Sequence, residues 1–398
     1  MNAPRAARRT AVARAKDRVA IANASTTGFV AKNSDRSPMS LAAEACIAVL
    51  RDTGLSAADV DGICGSIPSA PAVQAALGIQ DVRWFANPVI PFGNHVVAAV
   101  AAVCSGMAEV VLAYHTAYRM AWNTASALRD PFRRGLTPGT APDGGTGPDT
   151  LAGAAGYAAW ASRYIHEYAT PREHFGYVAL NDRVNALRNP VAAMRSPMTM
   201  DDYLSARMIR QPLCLLDMDV PVDGADAFVV TTAERARDLP HPAVLVHAAT
   251  LGMIAEHEED QQPSLARTGQ HVVIETLRAQ SDLWIDDVDV YFPYDGFTII
   301  TLGWLEATGW CGPGEAGAFL ESHRDAATGR VLINGRVPIN PHGGALSEGG
   351  TQGSGHMREA VLQLQGRAGD RQVPGAETAL VTPGGFFSNA QGVILRAA

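Results

Sequence analysis

Residues 96–105 read V-V-A-A-V-A-A-V-C-S, ten positions with no charge on any side. A surface helix keeps a polar face, so a helix that is apolar all round is enclosed in the middle of a protein. Ten residues are too few to span a bilayer, and no window approaches the eighteen or so uninterrupted apolar residues that a membrane helix needs. The enclosure must therefore come from the rest of the chain, and 398 residues are enough to supply it.

The neighbouring segments read as alternating strands and helices. A strand is expected at 19–23. Ser40 and Glu44 suggest a capping box for a helix reaching about Thr53, and Gly54 supplies its stop. Further strands fall at 59–65 and 109–113. Turn formers crowd residues 129–149, an excursion from the layered core that suits a lid or a subunit contact. Helices at 157–168 and 171–187 and a strand at 228–231 complete this half. The second half repeats the order: a strand at 243–248, a polar loop at 256–263, a helix at 269–280, a strand ending in the Tyr294 turn, and a helix to about Thr308. A glycine-rich corner follows at 340–350, then a helix at 359–364 and strands at 378–381 and 392–395. Strand–helix–strand order in both halves predicts an α/β fold of two similar halves. The divisions are a basic disordered tail (1–18), an N-terminal half (19–238) with an insertion at about 115–210, and a C-terminal half (239–398).

Charge and cysteine spacing exclude several classes. The net charge is −8, and the only basic cluster is in the first eighteen residues, so nucleic acid is not an expected partner. Arg8-Arg9 is similar to a twin-arginine signal, but charges stand where its apolar stretch belongs. Five scattered cysteines lack C-x-x-C spacing, which argues against a zinc site or a disulfide framework and fits a cytoplasmic protein. Asp217, Asp219, Asp223 and Asp226 lie close in sequence but match no metal-loop spacing, so no metal is expected.

Two stretches carry candidate chemistry: Y-F-P-Y-D-G-F around Tyr294 and N-P-H-G-G-A-L-S-E-G-G from Asn340 to Gly350. Both place polar groups where helices start and unpaired N–H groups can hold an anionic oxygen. Tyr294 is the leading acid/base candidate, its phenolate favoured by those donors; the alternative is a core tyrosine with a satisfied hydroxyl. His342 can serve as an oxyanion donor or proton carrier, or as a loop-bracing histidine. His95, at the start of the enclosed helix, is a third candidate or a core histidine. Glu348 can orient a catalytic group or favour a helix start, Asp295 reads as an N-cap, and His356 is a minor candidate. Gly343, Gly344, Gly384 and Gly385 leave room for backbone to approach a substrate.

Several segments together resemble the thiolase superfamily in its lipid-transfer-protein (sterol-carrier-protein-like) branch. They are 157–168 with E-Y-A-T-P-R-E-H-F beyond it, N-A-L-R-N-P-V-A at 185–192, P-L-C-L-L-D-M-D-V-P-V-D-G-A-D-A at 212–227 with T-T-A-E-R-A, and the two glycine corners. The resemblance implies a five-layered αβαβα fold, a homodimer, and coenzyme A thioesters bound without a metal or further cofactor. It also exposes four departures. The enclosed helix is entered through Val89-Ile90-Pro91-Phe92-Gly93 with no nucleophilic cysteine. Tyr294 replaces the family's asparagine, Gly350 stands at its histidine, and Thr382 or Pro383 at its second cysteine. The steroid side-chain retro-aldolases of this branch share that profile, with a tyrosine in Y-D-G-F and a zinc-ribbon/OB-fold partner chain. They carry a second tyrosine where this chain has Gly350. Retro-aldol cleavage of a 3-hydroxyacyl-CoA is thus the leading expectation. A non-cysteine acyltransferase or condensing enzyme and a catalytically silent scaffold subunit are the alternatives.

Overall fold

A computed structural model describes residues 15–32, 34–119, 154–255, 264–385 and 389–398. The excursion at 129–149 and the loop at 256–263 lie outside them, as does most of the basic tail. The tail's last residues are not loose: Ala15 is buried, and Asp17 pairs with His247 and Arg396, so the ordered chain begins before residue 19.

Among the described residues, nine strands form one mixed sheet. They are β1 (Val19–Thr26), β2 (Gly62–Cys64), β3 (Trp84–Ala86), β4 (Val110–Tyr118), β7 (Asp223–Thr232), β8 (Val244–Met253), β9 (Val290–Pro293), β12 (Thr378–Thr382) and β13 (Asn389–Ala397). Their order across the sheet is β3-β2-β4-β7-β1-β8-β13-β12-β9. The short pairs β5 (Met208–Arg210) with β6 (Leu213–Cys214) and β10 (Leu332–Ile333) with β11 (Val337–Pro338) stand apart. The halves meet at β1 and β8, where only Ala20↔Leu245 and Ile21↔Val244 are in register. Either side of that seam the pairing repeats. β2 runs parallel to β4, β4 antiparallel to β7, and β7 antiparallel to β1; β9, β12, β13 and β8 do the same in turn. The two-half reading holds at the level of strand register.

Side-chain alternation, with period two along each strand, sorts the core into layers. In β1, Val19 and Ile21 face one cluster while Ala20 and Ala22 face another; in β9, Val290 and Phe292 oppose Tyr291; in β12, Ala379 and Val381 oppose Leu380. The shared inner cluster takes strands of both halves and encloses α3 (Gly93–Ser105), through Val96, Ala99 and Val103, and α11 (Ser354–Leu364), through Met357, Ala360 and Val361. Outside the first half packs α1 (Pro38–Thr53); outside the second pack α8 (Gly269–Gln280) and α9 (Thr298–Thr308). Each half of the sheet thus makes its own layer, the order being helix, half-sheet, helix, half-sheet, helix, and the apolar helix lies in the middle layer. Its end is less enclosed than its composition implies: Cys104 and Ser105 are exposed.

Local boundaries follow capping. The side chain of Ser37, not Ser40, caps α1 by accepting from Ser40 N–H at 3.0 Å, while Glu44 pairs with Arg36. Gly54 ends that helix in the left-handed region at φ 70°. Between the halves, α4 (Ala154–Tyr168), α5 (Arg172–Ala186) and α6 (Met200–Ser205) join the second outer layer, with α10 (Ala316–Ser322) packed on α5; α2 (Ala70–Leu77) and α7 (Ala233–Arg237) flank the first. No helix among the described residues is long and apolar enough to cross a membrane.

Candidate active site

Tyr294 extends β9 by one residue, its N–H donating to Thr382 O at 3.1 Å. The chain then turns through Asp295-Gly296, and α9 begins at Thr298 with no side-chain cap. The Tyr294 ring folds back over Gly296, where an added Cβ would lie 2.7 Å from the hydroxyl oxygen. Tyr294 is 1% exposed. Burial, then the Asp219 charge, pushes its hydroxyl well above the ordinary phenol range, while Arg119 pulls the other way. The expected lowering by helix-start donors is not what this environment provides.

Asp295 is not the cap of α9. Its carboxylate reaches the glycine corner, accepting from Ala345 N–H at 2.8 Å and Leu346 N–H at 2.9 Å. These donors belong to a single π turn, Gly344–Glu348. The same Oδ1 lies 2.8 Å from His356 Nε2. Gly344, at φ 59°, makes this docking possible, because a Cβ there would sit 2.2 Å from Asp295 Oδ2 and 2.8 Å from Asp182 Oδ2. Asp182, on α5, brings its carboxyl to the same side of Gly344 as that of Asp295. Two buried carboxyls in contact cannot both ionise: burial and then the Asp295 charge push Asp182 well up, while Asp295, bonded to His356, is held down.

His356, the minor candidate in sequence, is central here. Its Nε2 faces the Asp295 carboxylate, and its Nδ1 has no hydrogen-bond partner among the described residues. Its ring lies 5.7 Å from that of Tyr294 and 4.7 Å, edge to face, from that of His342. His342 is buried with neither ring nitrogen bonded among the described residues, and burial holds it well below the ordinary imidazole range, hence neutral. Tyr294, Asp295, His342 and His356 thus form one constellation.

Other candidates go elsewhere. His95 stacks on Phe92 at 5.2 Å, approaches His115 at 6.3 Å and meets Ser66 Oγ at 3.3 Å; burial pushes it down to about 3. None of these contacts is with Tyr294. Glu348 orients neither Tyr294 nor His342. It is buried against Arg358 and Asn189, and Arg358 also pairs with Asp226. Gly343, at φ 103°, makes room for Ala186, Gly384 for Gln391 and Pro91, and Gly385, at φ 125°, for Trp304. The four aspartates point to different partners: Asp217 to Tyr203 and Thr298, Asp219 to Arg119, Asp223 to Ser34 N–H, and Asp226 to Arg358 and Ser354.

The mouth of α3 carries Gly93, and a Cβ there would meet the Gln391 side chain at 2.5 Å. Cys64 is nearby, donating to His95 O at 3.6 Å, but burial pushes its thiol far up; Cys214 is pushed up to about 11 and Cys311 to about 12. None of these is a thiolate nucleophile. A cleft of about 470 Å³ opens on the back of the glycine corner, lined by residues 27–32, 190–193 and 195 and not by Tyr294. Its wall is tied to the corner by Ala193 N–H to Glu348 O and Met194 N–H to Ser347 O, both at 3.0 Å.

Layers sharing a central helix pair, with a phenol and two histidines gathered in one buried site and no thiolate at the mouth of the apolar helix, define a thiolase-fold protein built for chemistry without an acyl-cysteine. Residues 253–397 match the thiolase C-terminal domain-like family. The chain is 37% identical to the 17-hydroxy-3-oxo-4-pregnene-20-carboxyl-CoA lyase of Mycobacterium tuberculosis, over 92% of this chain and 96% of that protein. It is 35% identical to the steroid side-chain-cleaving aldolase of Thermomonospora curvata, over 95% and 97%. A solved structure of an Ltp2-ChsH2(DUF35) aldolase superposes with TM-score 0.83 at 33% identity, covering 96% of this chain and 98% of that one. The chain belongs to the thiolase superfamily, in the lipid-transfer-protein branch that holds the steroid side-chain-cleaving aldolases.

Proposed function

We propose that this protein is a carbon–carbon lyase that cleaves a 3-hydroxyacyl-CoA by a retro-aldol reaction, with a steroid side chain as the substrate class. One observation carries the assignment of roles: Tyr294, His342 and the Asp295–His356 pair share one buried site, while the start of α3 presents glycine and no thiolate. Retro-aldol cleavage forms no acyl-enzyme, so it needs no sulphur. Relatives at 37% and 35% identity, one named a lyase and the other an aldolase, support the same reading.

In this reading Tyr294 gives its own hydroxyl proton to Nδ1 of His356 and takes the proton of the substrate's β-hydroxyl in its place. The C–O pair becomes a carbonyl, the Cα–Cβ bond breaks, and its electrons pass to the thioester as an enolate. A neutral His342 donates one N–H to the developing oxyanion. His356, oriented by Asp295, then passes the proton it received from Tyr294 to Cα, which returns both side chains to their starting state. The products are a ketone or aldehyde and a shortened acyl-CoA, with no cofactor beyond the thioester itself. Because Tyr294 is 1% exposed, substrate reaches it only after its covering wall moves.

A second chain of the DUF35 kind found with the aldolase of similar fold is the proposed partner. Two copies of this chain pair through the sheet edge at β3, where Phe85 is 56% exposed beside exposed Ile67 and Val89.

The test is direct. Purified with its partner, the protein should convert a 3-hydroxyacyl-CoA to a carbonyl product and a shorter acyl-CoA, seen by mass spectrometry, and Tyr294→Phe should stop it. Free CoA released only when an acceptor is added would establish the acyltransferase instead. Neither product, with the complex intact, would establish a scaffold.

A further inference from the structure

Position 350 has no side chain of its own, and its space is taken. A Cβ built on Gly350 would lie 2.5 Å from Arg119 Nη1 and 2.5 Å from Asp219 Oδ2. Arg119 and Asp219 form an ion pair there. Backbone hydrogen bonds hold the surrounding segments: Arg119 N–H donates to Val222 O at 3.1 Å, Gly350 N–H to Val220 O at 2.7 Å, and Asp219 N–H to Gly296 O at 3.0 Å. Gly296 is the residue that the Tyr294 hydroxyl covers. The pair packs against the glycine corner, and its Asp219 backbone is tied to the Gly296 turn that the phenol covers. Asp219's side chain is 10% exposed and Arg119's 38%, so the carboxylate is enclosed while part of the cation faces outward.

From this geometry we infer that the Arg119–Asp219 pair sets the protonation of the Tyr294 hydroxyl, Arg119 supplying the positive charge that lets the phenolate form and Asp219 holding and limiting that charge. The inference rests on the proposed role of Tyr294 as the base. A guanidinium stays charged throughout the working pH range, so it is a fixed electrostatic element rather than a second titrating group. Among the described residues, the charged and titratable groups facing Tyr294 include Arg119 just after β4, Asp219 before β7, Asp295 beside it in the chain, and His356 on α11. Burial and the two aspartates oppose ionisation, and Arg119 favours it. Arg119 and Asp219 are positioning residues, acting through the phenol.

Their opposite charges make the test specific. In the complex, the pH dependence of kcat for 3-hydroxyacyl-CoA cleavage is compared among wild type, Arg119→Met, Arg119→Lys and Asp219→Asn. The limb on which activity rises with pH should move to higher pH in Arg119→Met, with kcat at pH 8 falling about tenfold for every whole pH step the limb moves. It should move to lower pH in Asp219→Asn and stay near wild type in Arg119→Lys. A merely structural role would move Arg119→Met and Asp219→Asn the same way. The ionisation of Tyr294 is also followed by NMR in protein labelled with ring-13C tyrosine, its signal assigned by loss in Tyr294→Phe. Opposite displacements of that titration support the inference even if wild type cleaves no 3-hydroxyacyl-CoA, an outcome that would sink only the functional reading. Unchanged or parallel displacements in both readouts overturn it.

Discussion

His356 Nε2 stands 2.8 Å from Asp295 Oδ1, although sixty-one positions separate the two residues and α9, α10 and the glycine corner intervene. The contact holds the imidazole beside Tyr294 and His342, with its other nitrogen unpartnered among the described residues. In the proposed mechanism this helix residue is the proton carrier.

Removing that carrier should slow chemistry more than binding. His356→Gln is expected to lower kcat by about 10²–10⁴-fold, the usual worth of a positioned acid or base, with KM changed much less. Steady-state kinetics with circular dichroism to confirm folding checks this.

The Asp182–Asp295 pair should bracket stability in pH. Asp295 is depressed in the fold, so its contribution is present above its unfolded value and lost as pH falls through the folded one. Asp182 is raised, so its contribution is present below its unfolded value and lost as pH rises through the folded one. Asp182→Asn should therefore flatten the alkaline side of a melting-temperature profile and leave the acid side standing. Equal flattening of both sides would contradict the opposite shifts of the two carboxyls.

Arg358 neutralises two enclosed carboxylates, Asp226 and Glu348, that brace α11 and the π turn. Arg358→Met should destabilise the protein by about 3–5 kcal/mol, because it leaves both charges buried without their cation. Denaturant titration measures this.

Thiol chemistry should be dispensable. Alkylating the exposed Cys104 should leave cleavage intact, and Cys64→Ser should keep activity within a few-fold of wild type. Mass spectrometry of the quenched reaction should show no acyl adduct on any cysteine.

The edge strand β3 offers a prediction about assembly. Phe85→Lys should shift the chain from dimer to monomer in light scattering, since a charge on an exposed sheet edge blocks pairing.

Much of the scaffold is legible along the chain because its signals are local. The apolar run at 96–105, the glycine stop at Gly54 and the helix at 269–280 lie within one element each, and all appear in the fold. Tyr294 is legible too, since a strand end before a helix can be read from neighbouring residues. Ser40 fails as a cap because Ser37 lies three residues earlier, and capping patterns tolerate either until geometry chooses. Asp295 fails as a cap for a different reason: its donors are the N–H groups of Ala345 and Leu346, fifty residues on.

Residue types and their neighbours a few positions away are enough to specify the alternation of strands and helices, the enclosed central helix and the missing sulphur nucleophile at its mouth. Packing in three dimensions is what places His356 and not His95 beside Tyr294, brings the Asp182 and Asp295 carboxyls together, and seats Arg119 and Asp219 in the space beside Gly350. Those outcomes arise where burial strips water from charged groups and forces them onto whatever partners the fold brings, at separations of fifty to more than two hundred residues.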